Sequence, residues 1–109
     1  MSHAWAEEKI NSAKKLFNQN KNIPGASVLS LAANDAIQQK DAEKINCLLS
    51  IDSFTLPGEG IIALLDMIRG DYFEFPQRKI FSQKSKQALL SYGWTDKDFE
   101  SFNVFFNEI

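Results

Sequence analysis

Ser27-Val-Leu-Ser-Leu-Ala-Ala-Asn-Asp-Ala-Ile-Gln-Gln39, then Lys40-Asp41, then Ala42-Glu-Lys-Ile-Asn-Cys-Leu-Leu-Ser-Ile51 is the stretch whose reading decides the fold. The first part is rich in alanine and leucine, residues that lose little freedom on entering a helix. Lys40-Asp41 is a short turn, and Asp41 is suited to accept the first free amides of a following helix. That helix, Ala42 to Ile51, sets Ile45, Leu48 and Leu49 on one face. Two apolar-faced helices joined by so short a turn predict an antiparallel helical hairpin. The Ala-rich helix, tight turn and Leu-Leu ending look like one unit of an ankyrin-type repeat, but no second copy follows at a fixed period, so no repeat array is expected.

The same punctuation continues in both directions. Upstream, Ser2 to about Asn20 opens on a possible serine cap, carries Glu7 and Glu8 near its start and Lys14 and Lys15 near its end, and aligns Ala6, Ile10, Ala13 and Phe17 at helical spacing. Asn18-Gln-Asn-Lys-Asn22 reads as a polar linker, and Pro24-Gly25 as the reset before the second helix. Downstream, Ile61 to Arg69 is apolar nearly all round, which predicts a central helix, with Gly70 as its terminating residue. Asp71-Tyr-Phe-Glu-Phe-Pro76 alternates, but Pro76 ends it and no pairing strand is at hand; an extended connector is expected, with a short edge strand as the alternative. Ser82 is read as the cap of a helix running to Tyr92, and Gly93-Trp94 as its Schellman ending. Thr95 caps a last helix in which Phe99, Phe102, Phe106 and Ile109 form a stripe. Strand-length alternation is otherwise missing, so the expected fold is all-α: one compact domain, 1–109, a bundle of five or six short helices.

Composition narrows the function classes. Apolar residues make up 44% and charged residues 24% of the 109, ordinary values for a globular chain. The longest apolar run, Ile61 to Leu65, falls far short of the ~20 residues that span a bilayer, and the start of the chain lacks a basic segment followed by an apolar one. A cytoplasmic protein with no membrane partner is expected. Cys47 is the only cysteine and His3 the only histidine, so neither a disulfide, a thiolate zinc site nor a Cys-His nucleophile is supported, and no cofactor or catalytic residue is assigned. Glu59, between Gly58 and Gly60, resembles a phosphate-cradling loop only superficially, because the Gly-Lys-Ser/Thr ending is missing; a helix start at Pro57-Gly58 accounts for it more simply.

Charge is distributed unevenly. Residues 1–50 carry six basic and five acidic side chains, and residues 51–109 carry six and nine, so the acidity behind the net charge of −2 belongs to the second half. Ten of the thirteen aromatic residues also lie there, from Tyr72 onward. Helical spacing assigns Phe99, Phe102, Phe106, Leu89 and Tyr92 to the core and leaves Tyr72, Phe73, Phe105 and Trp94 unassigned. Carboxylates beside such aromatics suit a protein interface, in which rim charge steers encounter and aromatic anchors supply affinity. Asp71, Tyr72, Glu74, Asp96, Asp98 and Glu100 are therefore the candidate partner-binding residues. The basic segment from Arg78 to Lys86 holds four cations, few for phosphate binding, which disfavours nucleic acid as the partner.

In size, helix content and acidity the chain resembles the small all-α immunity proteins of bacterial competition systems. That resemblance implies a non-enzymatic inhibitor that occludes the active site of one cognate toxin, for instance a nuclease with a basic cleft. A nucleic-acid-binding regulator using residues 78–86, and a scaffold or oligomerisation domain, are the alternatives.

Overall fold

A computed structural model describes residues 2–49, 55–68 and 77–102. Among these there are six helices and no strand: α1 (Ser2–Asn18), α2 (Asn22–Gln38), α3 (Ala42–Leu48), α4 (Gly58–Ile68), α5 (Gln77–Ser91) and α6 (Asp96–Ser101). The all-α class read from the sequence is the observed one.

In α1 the expected face is the buried one, since Ala6, Ile10, Ala13 and Phe17 all point into the core. Against them pack Leu29, Ala32, Ala33, Ala36 and Ile37 of α2 and Ile45 and Leu48 of α3. α1 packs on both α2 and α3, while α2 also packs on α4. The second helix begins five residues earlier than the sequence reading placed it. Pro24 is the third residue of α2, where an amide would have no intrahelical acceptor, so proline removes nothing. Gly25 is buried under the Phe17 ring, and a Cβ there would lie 3.1 Å from the ring. Gly60 of α4 meets the same ring, also at 3.1 Å. Phe17 thus occupies a slot between two helices that only glycines leave wide enough.

Three helices end alike. The amide of Lys21 donates to the Leu16 carbonyl and that of Asn20 to Phe17; Asp41 and Lys40 repeat this with Ala36 and Ile37, and Trp94 and Gly93 with Leu89 and Leu90. Each is a Schellman ending, and the residue at its centre has positive φ: 61° at Asn20, 52° at Lys40 and 86° at Gly93. Only glycine adopts that conformation without strain, so Gly93 was readable from the sequence whereas Lys40 was not. Asp41 caps α3 as expected, its carboxylate accepting from the Lys44 amide at 3.1 Å. Gln39 then accepts from the Lys44 ammonium at 3.1 Å, and the same ammonium lies 5.0 Å from the Trp5 ring, so one lysine of α3 ties the turn after α2 to α1.

α4 is the central apolar helix that was expected, with Ile61, Ile62, Ala63, Leu64 and Leu65 all buried. It starts at Gly58, so Glu59 sits in its first turn rather than in a phosphate loop. α5 corrects a boundary: it begins at Gln77, and Ser82 is a buried residue within it, not its cap. Ser82 and Ser85 are both buried with hydroxyls that find no hydrogen-bond partner. Gly70 and the connector 71–76 lie outside the described residues.

Candidate functional site

The carboxyl-terminal aromatics divide differently from the sequence reading. Phe99 is buried as expected, but Phe102 is 42% and Tyr92 45% exposed. Tyr92 stays at the surface because its hydroxyl donates to the Leu56 carbonyl at 2.8 Å, holding the end of α5 against the approach to α4. Trp94, folded back by the Schellman turn, is half-buried; its ring centroid lies 5.7 Å from that of Phe99 and 5.0 Å from that of Phe102. It also rests on Gly58, where a Cβ would come within 2.6 Å of the indole. Phe102 therefore extends an aromatic stack outward to the surface instead of completing a core stripe.

Where Phe102 reaches the surface it borders a groove of about 590 Å³ between α2 and α4. From α2 come Asn22, Ile23, Ala26, Ser27, Ser30 and Leu31; from α4 come Glu59, Ile62, Ala63 and Asp66. Ile23 and Leu31 are the most exposed large apolar residues described, at 82% and 68%. Single exposed hydrophobes are ordinary, but Ile23, Leu31 and Phe102 border one depression. Its lining includes the short side chains of Ala26, Ser27, Ser30 and Ala63. On α4, Glu59, Ile62, Ala63 and Asp66 follow the three-, four- and seven-residue spacing of one helix face, which makes that wall partly acidic. The described lining includes two carboxylates and neither lysine nor arginine. A close clue existed in the sequence: Leu29 and Leu31 are two residues apart on a helix and cannot share a face, so one of them had to point outward. Leu29 is fully buried and Leu31 is the one exposed.

The acidic residues singled out from the sequence have separate fates. Asp98 is engaged in a capping box: its carboxylate accepts from the Thr95 amide at 2.7 Å and from the Thr95 hydroxyl at 3.0 Å, while the Thr95 hydroxyl accepts from the Asp98 amide. Asp96 and Glu100 are exposed on α6. Asp71, Tyr72 and Glu74 lie outside the described residues, as do Phe73, Phe105 and Phe106. Of the basic segment, Lys84 and Lys86 are exposed on α5. Two residues of separation turns them about 200° apart around the helix, so they do not form one cationic stripe.

A second depression, of about 240 Å³, is lined by His3, Glu7, Ile10, Asn11, Lys14 and Cys47 among others. His3 and Glu7 approach to 3.7 Å on the exposed side of α1. Burial pushes the Cys47 thiol above its ordinary value, and the Glu43 and Asp41 carboxylates push the same way against a smaller opposing effect of the amino terminus. A thiol so placed stays protonated near neutrality, which is the reverse of nucleophile activation. Among the described residues no group of three histidine, cysteine or acidic side chains could hold a metal ion, and no helix is long and apolar enough to cross a membrane.

Comparison of the chain with models of protein families, with curated proteins and with solved structures finds no match.

Proposed function

We propose that this protein acts without chemistry of its own, as an inhibitor that binds one protein partner and covers its working surface, in the manner of a cytoplasmic immunity protein neutralising a toxin. The observation that carries this reading is the α2–α4 groove, where Ile23, Leu31 and Phe102 stand exposed beside Glu59 and Asp66. Apolar anchors supply affinity when they are desolvated, and carboxylates at the edge steer a basic partner into register. A toxin that acts on a polyanion, such as a nuclease, has a basic cleft that such a surface complements. Asp96 and Glu100, exposed on α6, remain candidates for outer contacts, and Asp71, Tyr72 and Glu74 are retained from the sequence reading on the same terms.

The test is co-expression with the products of the reading frames that flank its gene. Relief of a neighbour's toxicity, together with a stoichiometric complex on size exclusion, is the expected result. Unrelieved toxicity and no complex with any flanking product overturns the proposal.

A further inference from the structure

We infer that α5, α6 and the turn between them form a latched arm that leaves α4 as one unit while α1, α2 and α3 stay folded, and whose docking completes the α2–α4 groove. The makeup of the buried faces points to it. α1 buries Ala6, Ile10, Ala13 and Phe17, and α2 buries Leu29, Ala32, Ala33, Ala36 and Ile37; neither face holds a buried polar side chain. α5 buries Phe81, Ser82, Ser85 and Leu89, and among the described residues those two serines are the buried polar side chains. Neither hydroxyl has a hydrogen-bond partner. Each gives up hydrogen bonds to water when the arm docks and recovers them when it opens, which weakens docking by on the order of tenfold per group. The start of α5 adds to this: its first turn carries Arg78 and Lys79 and no acid, and its last turn no base, so the charges at its start oppose the helix dipole.

The arm's internal contacts are local. The Trp94 ring stacks on Phe99 and Phe102, with centroids 5.7 and 5.0 Å apart, the Trp94 amide donates to the Leu89 carbonyl, and the capping box of Thr95 and Asp98 closes the start of α6. All of these join residues within the arm, so they do not oppose its release. Its fastening to the rest includes the burial of Phe81, Leu89 and Phe99, the 2.8 Å hydrogen bond from the Tyr92 hydroxyl to the Leu56 carbonyl, and the Trp94 indole seated on Gly58. Tyr92 and Trp94 thus act as a latch on the entry to α4. Phe102, carried on Trp94, borders the groove, so an arm that leaves takes that border with it. Undocked, a helix of the length of α5 is marginal in water, so its amides exchange with solvent.

Native-state hydrogen exchange, followed amide by amide by NMR at low urea, tests the arm. The amides of α5 and α6 are expected to converge on one opening, at least about tenfold more frequent than the opening that exposes the slowest amides of α1 and α2. Ile10→Val, which trims the core face of α1, should speed exchange of those slowest amides about fivefold and leave α5 and α6 unchanged, because the arm opens without disturbing α1. Tyr92→Phe should speed exchange in α5 and α6 about fivefold, and Ser85→Ala should slow it by as much. Gly58→Ala, whose methyl would lie 2.6 Å from the indole, should displace Trp94, speed exchange throughout the arm and shift the amide resonances of Ser27 and Ser30, which line the groove with Phe102. Circular dichroism checks that each variant is folded. Exchange in α5 and α6 that matches α1 and α2 and moves with them under Ile10→Val makes the unfolding all-or-none and overturns the arm, as does opening of α5 and α6 at unrelated rates. Unmoved Ser27 and Ser30 resonances in Gly58→Ala, with the arm's exchange accelerated, overturn its link to the groove. No readout uses a partner, so either result leaves the inhibitor proposal to its own test.

Discussion

Alanine is ordinarily the better helix former, so replacing Gly25 inside α2 should stabilise the helix by about 1 kcal/mol. Here the added methyl meets the Phe17 ring, with Cδ2 and Cε2 at 3.1 Å and Cζ at 3.2 Å. Forcing a methyl into a packed core costs about 1–3 kcal/mol, so Gly25→Ala is expected to destabilise by roughly 1 kcal/mol net. In a Phe17→Leu background the Cε2 and Cζ atoms are gone. Leucine keeps a Cδ methyl, but rotation about χ2 can turn it away as a rigid ring cannot, so the clash is relieved and the same Gly25→Ala change should stabilise by about 0.5–1 kcal/mol. The two changes are therefore coupled by about 1.5–2 kcal/mol, well above the ~0.3–0.5 kcal/mol within which distant sites add. Urea unfolding followed by far-ultraviolet circular dichroism reads this directly: with a slope of about 1.5 kcal/mol/M, a change of 1 kcal/mol moves the midpoint by about 0.7 M. Phe17→Leu alone lowers stability by ~1–2 kcal/mol, which leaves an ordinary domain folded. Equal effects of Gly25→Ala in both backgrounds would refute the slot between α2 and α4.

Other substitutions test other parts of the account. Ser85→Ala should raise stability by about 1 kcal/mol in urea unfolding, because it removes a fully buried hydroxyl that has no partner and adds helix propensity; a loss of stability contradicts that. Tyr92→Phe removes the 2.8 Å hydrogen bond to the Leu56 carbonyl and should lower stability by ~1 kcal/mol, with amide shift changes confined to residues near Leu56 and Trp94. Cys47, whose folded-state pKa is raised by burial first, keeps its proton longer in the folded than in the unfolded chain. Stability should be indifferent to this group below the ordinary thiol value of 9.0 and fall as pH rises above it, and iodoacetamide at pH about 8 should alkylate the native protein more slowly than the urea-unfolded one.

Local signals carried most of the fold. Ala6, Ile10, Ala13 and Phe17 mark the buried face of α1 by spacing alone, and Asp41, Thr95 and Gly93 mark helix ends by chemistry that acts within a few residues. Errors arose where a residue's role is set from elsewhere in the chain. Pro24-Gly25 looks like a break until Phe17 is seen to need Gly25 beneath it, and Ser82 looks like a cap until the fold buries it in α5. Lys40 gives no hint of positive φ, because it is the Schellman hydrogen bonds that hold it there. The groove was still less readable: its lining comes from α2, α4 and Phe102, three separate parts of the chain, and periodicity reports which face of a helix is apolar without saying which faces meet. Within α6 the capping box was readable from Thr95 and Asp98, and it separates Asp98 from Asp96 and Glu100 as a contact candidate.

The α2–α4 groove, rather than the acidic surface of α6, is proposed to make the decisive contact with a protein partner. With a complex from a flanking reading frame in hand, its dissociation constant is measured by calorimetry for two variants side by side. One carries Glu59→Lys with Leu31→Ser, and the other carries Asp96→Lys with Glu100→Lys. At least about a tenfold loss of affinity is expected for the first and less than about threefold for the second, since an apolar anchor desolvated in the complex outweighs exposed rim charges. The opposite order, with the groove variant binding normally and the α6 variant failing, would contradict it.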